Sequence, residues 1–573
     1  MEILPPPEDR SLWTLPAFAL RRAWREGYGL RDLRRDAMAG VVVGIVALPL
    51  SMALAIGVGA PPQQGLYTAI VGGFVVAALG GSSVLVTGPT AAFIVILAPI
   101  YARGGLSGLL VAGMLAGLLL MLFGALRLGS IIQYIPFPVT TGFTAGIGTV
   151  IAILQLKDFL GLRVPHMPDQ VLERVAAMFE ARGTLSPWEL AVGAFTLALL
   201  IGLPRVLRKI PGPLVALPAA TLFALAVTHW LPGVTIATLA NRFHTTIGGH
   251  VFDGVPQLPP LPMLPWNAGG AGFKLSLGSI RGLMPAAFAI AMLGAIESLL
   301  AAVVSDGMSQ TKHDPDAELL ALGIGNILCP FFGGIPATGA IARTATSVRS
   351  GARTPVAAMV HALTVLAAIL ILAPLLGLVP MASLAALLLL VAWNMSDVPL
   401  VFHTLRVAPR SDVAVLLTCY TLTVAFDMVI AVSVGVVLAA LLFMRRMVEV
   451  TRGRLTTGAR SQLPIPVPKG VLLYDIDGPL FFGAAQKAMA ALQHITDIPR
   501  AVIFRLEDVP AMDATGLVAL EAALGQLHRR GVRSYLVGLQ PQPTAVVKKA
   551  RLPEREGVVL CADIGEALRL AGA

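Results

Sequence analysis

Two charged residues stand inside long apolar runs, and their chemistry is the first guide to what the chain does. Glu297 lies in Ala291–Leu300, a stretch otherwise free of charge. A carboxylate in such surroundings must be compensated by a bound proton or cation, and an intramembrane acid of this kind usually serves a function. It can carry a proton or sodium ion that travels with a substrate, or it can act as hydrogen-bonding glue between helices. Arg343 follows Phe331–Ala342, about two turns into a second apolar run. Its guanidinium can hold a carboxylate or sulfate through paired hydrogen bonds, or pair with an acid such as Glu297 or Asp427. Thr90, Ala91, Ala337, Thr338, Gly339 and Ala340 lie at or near two expected helix starts, where backbone N–H groups are free to bind an anion.

Two matched interruptions position these residues. One reads Gly80-Gly81-Ser82-Ser83-Val84-Leu85-Val86-Thr87-Gly88-Pro89-Thr90-Ala91-Ala92-Phe93. The other reads Phe331-Phe332-Gly333-Gly334-Ile335-Pro336-Ala337-Thr338-Gly339-Ala340-Ile341-Ala342-Arg343. Each has a Gly pair, a short β-branched piece, then Pro and Thr opening a new apolar run. A helix that begins inside a membrane aims partial positive charge at the bilayer centre. Paired breaks in two halves of a membrane protein point to a transporter's binding site, here one for an anion.

The membrane assignment rests on composition. Charged residues make up 13% and apolar residues 56% of the chain, and the mean hydropathy is +0.80. No Asp, Glu, Lys or Arg occurs from Ala37 to Ala102, whereas ~20 apolar residues cross a bilayer once. The net charge of +10 resides in loops and flanks, so it sets orientation and gives no reason to expect nucleic acid. With the N-terminus in the cytoplasm, the inner loops hold Arg127, Arg205, Arg208, Lys209, Lys312, Arg349, Arg353, Arg406, Arg410, Arg445 and Arg446, as the positive-inside rule requires. Cys329, Cys419 and Cys561 are isolated, and the nine histidines lack zinc-ligand spacing, so neither a disulfide framework nor a metal site is expected. No nucleophile–base set or phosphate-cradling loop appears, so neither an enzyme nor a cofactor is expected.

Fourteen hydrophobic segments fall between Met38 and Met447 in two sets of seven, with the breaks in the third segment of each. The expected organisation is an Arg-rich cytoplasmic amphipathic segment (1–37), a transport domain (38–446), a Pro-rich linker (447–469) and a soluble α/β domain (470–573). In the last, strand-like runs at Val471–Asp475, Ala501–Arg505 and Ser534–Val537 flank an amphipathic helix pattern from Thr515 to Arg529, which predicts a parallel crossover unit. Asp513 suits the N-cap of that helix, and Thr515 is the one hydroxyl at its start, a candidate regulatory position.

Gly65-Leu66-Tyr67, Thr87–Ala92, Gly294–Leu299 and the Arg343 segment together resemble the SulP sulfate-permease family. The resemblance covers nearly the whole chain. It implies a polytopic helical membrane protein with a seven-plus-seven inverted repeat, core and gate domains, and a homodimer. It implies an anion site between the half-helix starts at Thr90 and Ala337–Ala340 with the Glu297 helix beside it, and a C-terminal STAS domain. There Asp513-Ala514-Thr515-Gly516 sits where related domains carry a phosphorylatable hydroxyl and can meet a cytoplasmic partner. The tracts Met292–Met308, Ala386–Asp397 and Phe426–Val437 are most similar to the family's four-carbon dicarboxylate carriers. The expectation is therefore proton-coupled uptake of succinate, fumarate or aspartate across a bacterial inner membrane, with both termini cytoplasmic. Leu50 and Leu54 are apolar where several relatives are polar or aromatic. Sulfate or bicarbonate transport, with sodium coupling as one form of it, is the alternative within the class; a membrane-anchored regulatory module is the alternative outside it. The second is disfavoured because an anchor needs no costly half-helices.

Overall fold

A computed structural model describes residues 15–572 apart from 133–134, 165–167, 169–170, 207–210, 248, 269–272, 427, 451, 457–465, 482–484, 487 and 490–497. Asp427 thus lies outside the described residues. Contacts divide the chain into two units, Met1–Val436 and Val437–Ala573.

The first unit is helical. After α1 (Phe18–Arg25) comes α2 (Leu30–Val58), which begins eight residues before the apolar run because Arg31, Arg34 and Arg35 are good helix formers that extend it beyond the hydrocarbon. The chain returns through α3 (Pro62–Tyr67), a π-helical turn (Thr68–Gly72) and α4 (Gly73–Leu79). Strand β1 (Thr87–Gly88) leads into α5 (Ala92–Ala125), which Gly105, at φ 60°, breaks into two helices. Next come α6 (Phe137–Phe159), α7 (Pro187–Val206) and α8 (Gly212–Trp230), then the hairpin β2 (His244–Ile247) and β3 (His250–Asp253). The second set is α9 (Leu277–Ser309), α10 (Pro315–Leu328), β4 (Thr338–Gly339) with α11 (Ile341–Arg349), α12 (Val356–Gly377), α13 (Met381–Ser396), α14 (Arg410–Ala425) and α15 (Met428–Val450). Nine of the described helices are long and apolar enough to cross a membrane. The remaining segments are short or interrupted; α11, at 9 residues, rises only about 14 Å, half a bilayer.

The packing partners repeat between the halves with the roles exchanged. α2 packs on α12 as α9 packs on α5; α4 packs on α12 as α10 packs on α5; α6 packs on α14 as α13 packs on α7; and α6 and α13, the fifth segments of their sets, pack on each other. This is the pattern an inverted repeat produces. At its centre β1 pairs antiparallel with β4, Thr87 opposite Gly339 and Gly88 opposite Thr338. The extended pieces of the two breaks therefore satisfy each other's backbone at membrane depth, where water cannot.

The second unit carries a sheet in the order β5 (Arg452–Thr456), β6 (Val471–Asp477), β7 (Ala501–Arg505), β8 (Arg533–Val537), β9 (Val558–Cys561). β6 to β9 are parallel and β5 is antiparallel to β6. Helix α16 (Ala514–Arg529) crosses from β7 to β8, followed by α17 (Pro541–Lys549) and α18 (Ile564–Gly572). The expected crossover is present. The stretch read as a linker is in part a strand: basic Arg452-Gly453-Arg454 lacks strand-like composition, but an exposed edge favours charge. The three cysteines are free and buried.

Candidate functional site

The site is built where the two breaks meet. Asn326 of α10, fully buried, donates from Nδ2 to the Ala337 carbonyl (2.9 Å) and accepts from the Ala337 N–H at Oδ1 (2.8 Å). Thr68 of the π turn donates to the Ile335 carbonyl (2.9 Å). Thr338 donates to the Gly294 carbonyl of α9 (2.9 Å), so its hydroxyl is a clamp turned away from any substrate. Gly339 lies against α9; a Cβ there would stand 2.9 Å from Ser298 Cα, so only glycine lets the strand approach so closely. The Ala340 N–H donates to Val86 O (2.9 Å), and the Val86 N–H donates to Thr344 Oγ1 (3.0 Å).

These bonds move the free donors of the second half-helix. Ala337–Ala340 were expected to present them, but the N–H groups of Ala337 and Ala340 are already used. Ala340 is the N-cap and α11 starts at Ile341, so the N–H groups without an intrahelical acceptor are those of Ile341, Ala342 and Arg343. At the first half-helix Ala91 is the N-cap of α5, directly after half-buried Thr90.

Glu297 is half-buried on α9, and its Oε2 accepts a hydrogen bond from Thr90 Oγ1 (2.8 Å). The carboxylate is thus fastened to the start of the first half-helix. Arg343 is the third residue of α11, nearer the break than two turns because the helix begins late. It is buried, and Nη2 donates to the Pro89 carbonyl at the end of β1, while Nε and Nη1 have no partner among the described residues. It forms no pair with Glu297. Its charge lies against Gly88, behind the strand pair, and acts on the site through its field.

Sequence reading missed several residues. Glu318 of α10, fully buried, accepts from Gly81 N–H (3.0 Å) and Ser82 N–H (3.2 Å), with Ser298 Oγ at 3.4 Å. Its place four residues after the N-cap Asp314 resembles an ordinary acidic helix start, which hid it. Asn326 carried no signal beyond its polarity in an apolar run. His361 of α12 is fully buried, and among the described residues neither its ring nitrogens nor the buried hydroxyls of Thr87 and Ser347 have a hydrogen-bond partner. In the second unit Asp513 caps α16, accepting from Gly516 N–H at 2.7 Å, and Thr515 is exposed in its first turn.

A second polar region lies away from these residues. A cavity of about 690 Å³ at the end of α6 and start of α7 is lined by Lys157, Asp158, Arg163, Glu189 and Arg242. Among the described residues no group of three or more His, Cys, Asp or Glu side chains is placed to hold a metal.

The candidate site thus gathers two half-helix starts, a buried guanidinium bonded to the Pro89 carbonyl and a carboxylate bonded to Thr90. The sequence matches the Sulfate permease family over residues 33–419 and the STAS domain over residues 462–567. It is 37% identical to "Putative sulfate transporter YvdB" of Bacillus subtilis, over 93% of this chain and 96% of that protein. It is 30% identical to "Bicarbonate transporter BicA" of Picosynechococcus sp., over 92% of each. Its fold resembles the murine Slc26a9 anion transporter in the inward-facing state, with TM-score 0.82 and 18% identity over 99% of this chain and 96% of that one. These relatives do not bear out the expected dicarboxylate likeness, because the two sequence relatives are sulfate and bicarbonate transporters by name. The chain belongs to the sulfate permease family, a multi-pass membrane protein and secondary anion transporter with a C-terminal STAS domain.

Proposed function

We propose that the protein takes up an inorganic oxyanion, sulfate foremost, together with a proton. The supporting observation is the Thr90–Glu297 hydrogen bond at the mouth of the first half-helix. A carboxylate beside a bound dianion repels it unless neutralised. Each ligand then favours the other: a proton on Glu297 strengthens sulfate binding, and bound sulfate strengthens proton binding by the same factor. The free N–H groups of Ile341–Arg343 and of the α5 start, with the field of Arg343, receive the sulfate oxygens. All are donors, which suits a fully ionised oxyanion. Thr90 and Ala91 edge the anion; Ala337, Thr338, Gly339 and Ala340 hold the strand pair that aims the helix starts.

Bicarbonate is the second reading, favoured by the 30% identity to BicA, and a sodium ion at Glu297 would serve the same electrostatic end. The basic loops support a cytoplasmic side for both termini, and the reading takes the working form to be a homodimer. Thr515 is the exposed regulatory position of the STAS domain, the face offered to a cytoplasmic protein. Uptake of labelled sulfate, bicarbonate and succinate into proteoliposomes under imposed proton or sodium gradients tests the reading. Sulfate should accumulate with the proton gradient; accumulation of succinate alone would restore the dicarboxylate assignment.

A further inference from the structure

The N-terminal face of the first unit gathers charge in a way transport does not require. Arg21, Arg22 and Arg25 lie on α1, and Arg31, Arg34 and Arg35 on the first two turns of α2. Glu26 and Asp32 oppose them, but Glu26 is engaged by Arg22 (2.8 Å). Asp36 is turned inward, where it accepts from Arg353 N–H (2.8 Å) and from Thr354. Arg25, Arg31 and Arg34 are exposed, as are Trp24, Leu30 and Leu33 between them. α2 has 29 residues and is about 43 Å long, whereas the hydrocarbon core is about 30 Å thick, so its first turns reach headgroup level. Arg25, Arg31, Arg34 and Trp24 at that depth face lipid phosphates, and among the described residues no acid pairs with these three arginines.

This helix is joined to the site. The Ala17 N–H donates to Leu79 O (2.7 Å) and the Ala19 N–H to Gly80 O (3.2 Å), at the end of α4. Arg22 donates to Lys312 O (3.2 Å) in the α9–α10 turn. Gly80 opens the segment leading to β1, and the next two N–H groups bind Glu318. α1 therefore holds the base of the first break and the α9–α10 turn.

We propose that Arg25, Arg31 and Arg34, with Trp24, form a binding surface for the phosphates of anionic phospholipids, and that the bound lipid steadies α1 against Leu79–Gly80. The attraction depends on headgroup charge, so phosphatidylglycerol supports it and phosphatidylcholine does not. A lysine substituted for each of these arginines should preserve the effect, because a phosphate surface needs charge more than a planar fork.

Hydrogen exchange of the full-length protein in nanodiscs tests this without relying on transport. The discs contain phosphatidylcholine alone or with one quarter phosphatidylglycerol. The amides of Phe18–Arg25 and Gly80–Ser82 should exchange roughly fivefold or more slowly in the anionic discs, the equivalent of about 1 kcal/mol of charge attraction at the surface. The difference should vanish in the Arg25→Gln, Arg31→Gln, Arg34→Gln triple variant, persist in the corresponding triple Lys variant, and shrink at about 0.5 M salt, where screening acts within a few ångströms. Equal exchange in the two kinds of disc, or a lipid effect that survives in the triple Gln variant, overturns the proposal. If the Gln variant does not fold, loss of the lipid effect in the folded Lys variant overturns it equally.

Discussion

Replacing Asn326 with Leu should disable the anion site while leaving most of the fold in place. The amide bonds both polar groups of the Ala337 peptide, at 2.8 and 2.9 Å, from a fully buried position. Leucine has nearly the same volume, so packing is largely kept, but the N–H and C=O of Ala337 lose this partner away from water. A buried polar group deprived of its bond costs about 1–3 kcal/mol, so the pair costs roughly 2–6 kcal/mol. The neighbouring β1–β4 pair and the α11 start are held by few other bonds, so the cost falls on the arrangement of the site. Even about 2 kcal/mol charged to binding weakens it ~30-fold. Sulfate binding to purified full-length protein by titration calorimetry, alongside thermal unfolding, measures this. Thr196→Val is the comparison: its hydroxyl meets Ser383 at 2.9 Å in the α7–α13 contact, so it should lower stability with little change in affinity. Affinity within about twofold of the parent for Asn326→Leu would refute the argument that this amide aims the second half-helix.

Three further outcomes follow. Gly339→Ala should lower transport at least as severely, since its Cβ would meet the backbone of Ser298 at 2.9 Å and α9 cannot yield cheaply; normal uptake would show that the strand pair can shift without loss. Arg343→Ala should weaken anion binding roughly ten- to a hundredfold, because it removes both the field and the charged hydrogen bond that fixes the Pro89 carbonyl, a bond of a class worth about 1.5–3 kcal/mol, and Arg343→Lys should recover part of that by restoring charge without the fork to Pro89; equal affinity in Ala and parent removes Arg343 from the site's field. For the terminal domain, a fragment from Met447 should unfold at higher temperature than one from Gly470, because β5 adds five register pairs to β6, worth roughly 1–3 kcal/mol; identical melting would mean β5 contributes nothing.

Much of this arrangement is written in the sequence because membranes leave few options. An uncharged run from Ala37 to Ala102 has one solvent in which it can fold, and matched Gly, Pro and Thr in two such runs mark backbone that cannot stay helical. Glu297 and Arg343 stand out because charge in hydrocarbon is costly. What stayed hidden depends on long-range pairing. That Ala340 donates to Val86, and so moves the free donors on to Ile341, follows from a strand pair 250 residues apart in sequence; no local pattern encodes it. Asn326 and Glu318 work by bonding distant backbone, and their own neighbours look like ordinary helix. β5 escaped because an edge strand is chosen by its partner more than by its composition.

The coupling of a proton to the anion through Glu297 is tested most directly by following lumenal pH in sealed proteoliposomes that carry a trapped pH dye. Sulfate added outside, with no other gradient, should acidify the lumen in vesicles holding the parent protein. Glu297→Gln, which keeps the shape and hydrogen-bonding capacity but cannot titrate, should abolish acidification while sulfate binding persists. Sulfate entry without acidification in the parent, or acidification undiminished in the Gln variant, would contradict the account.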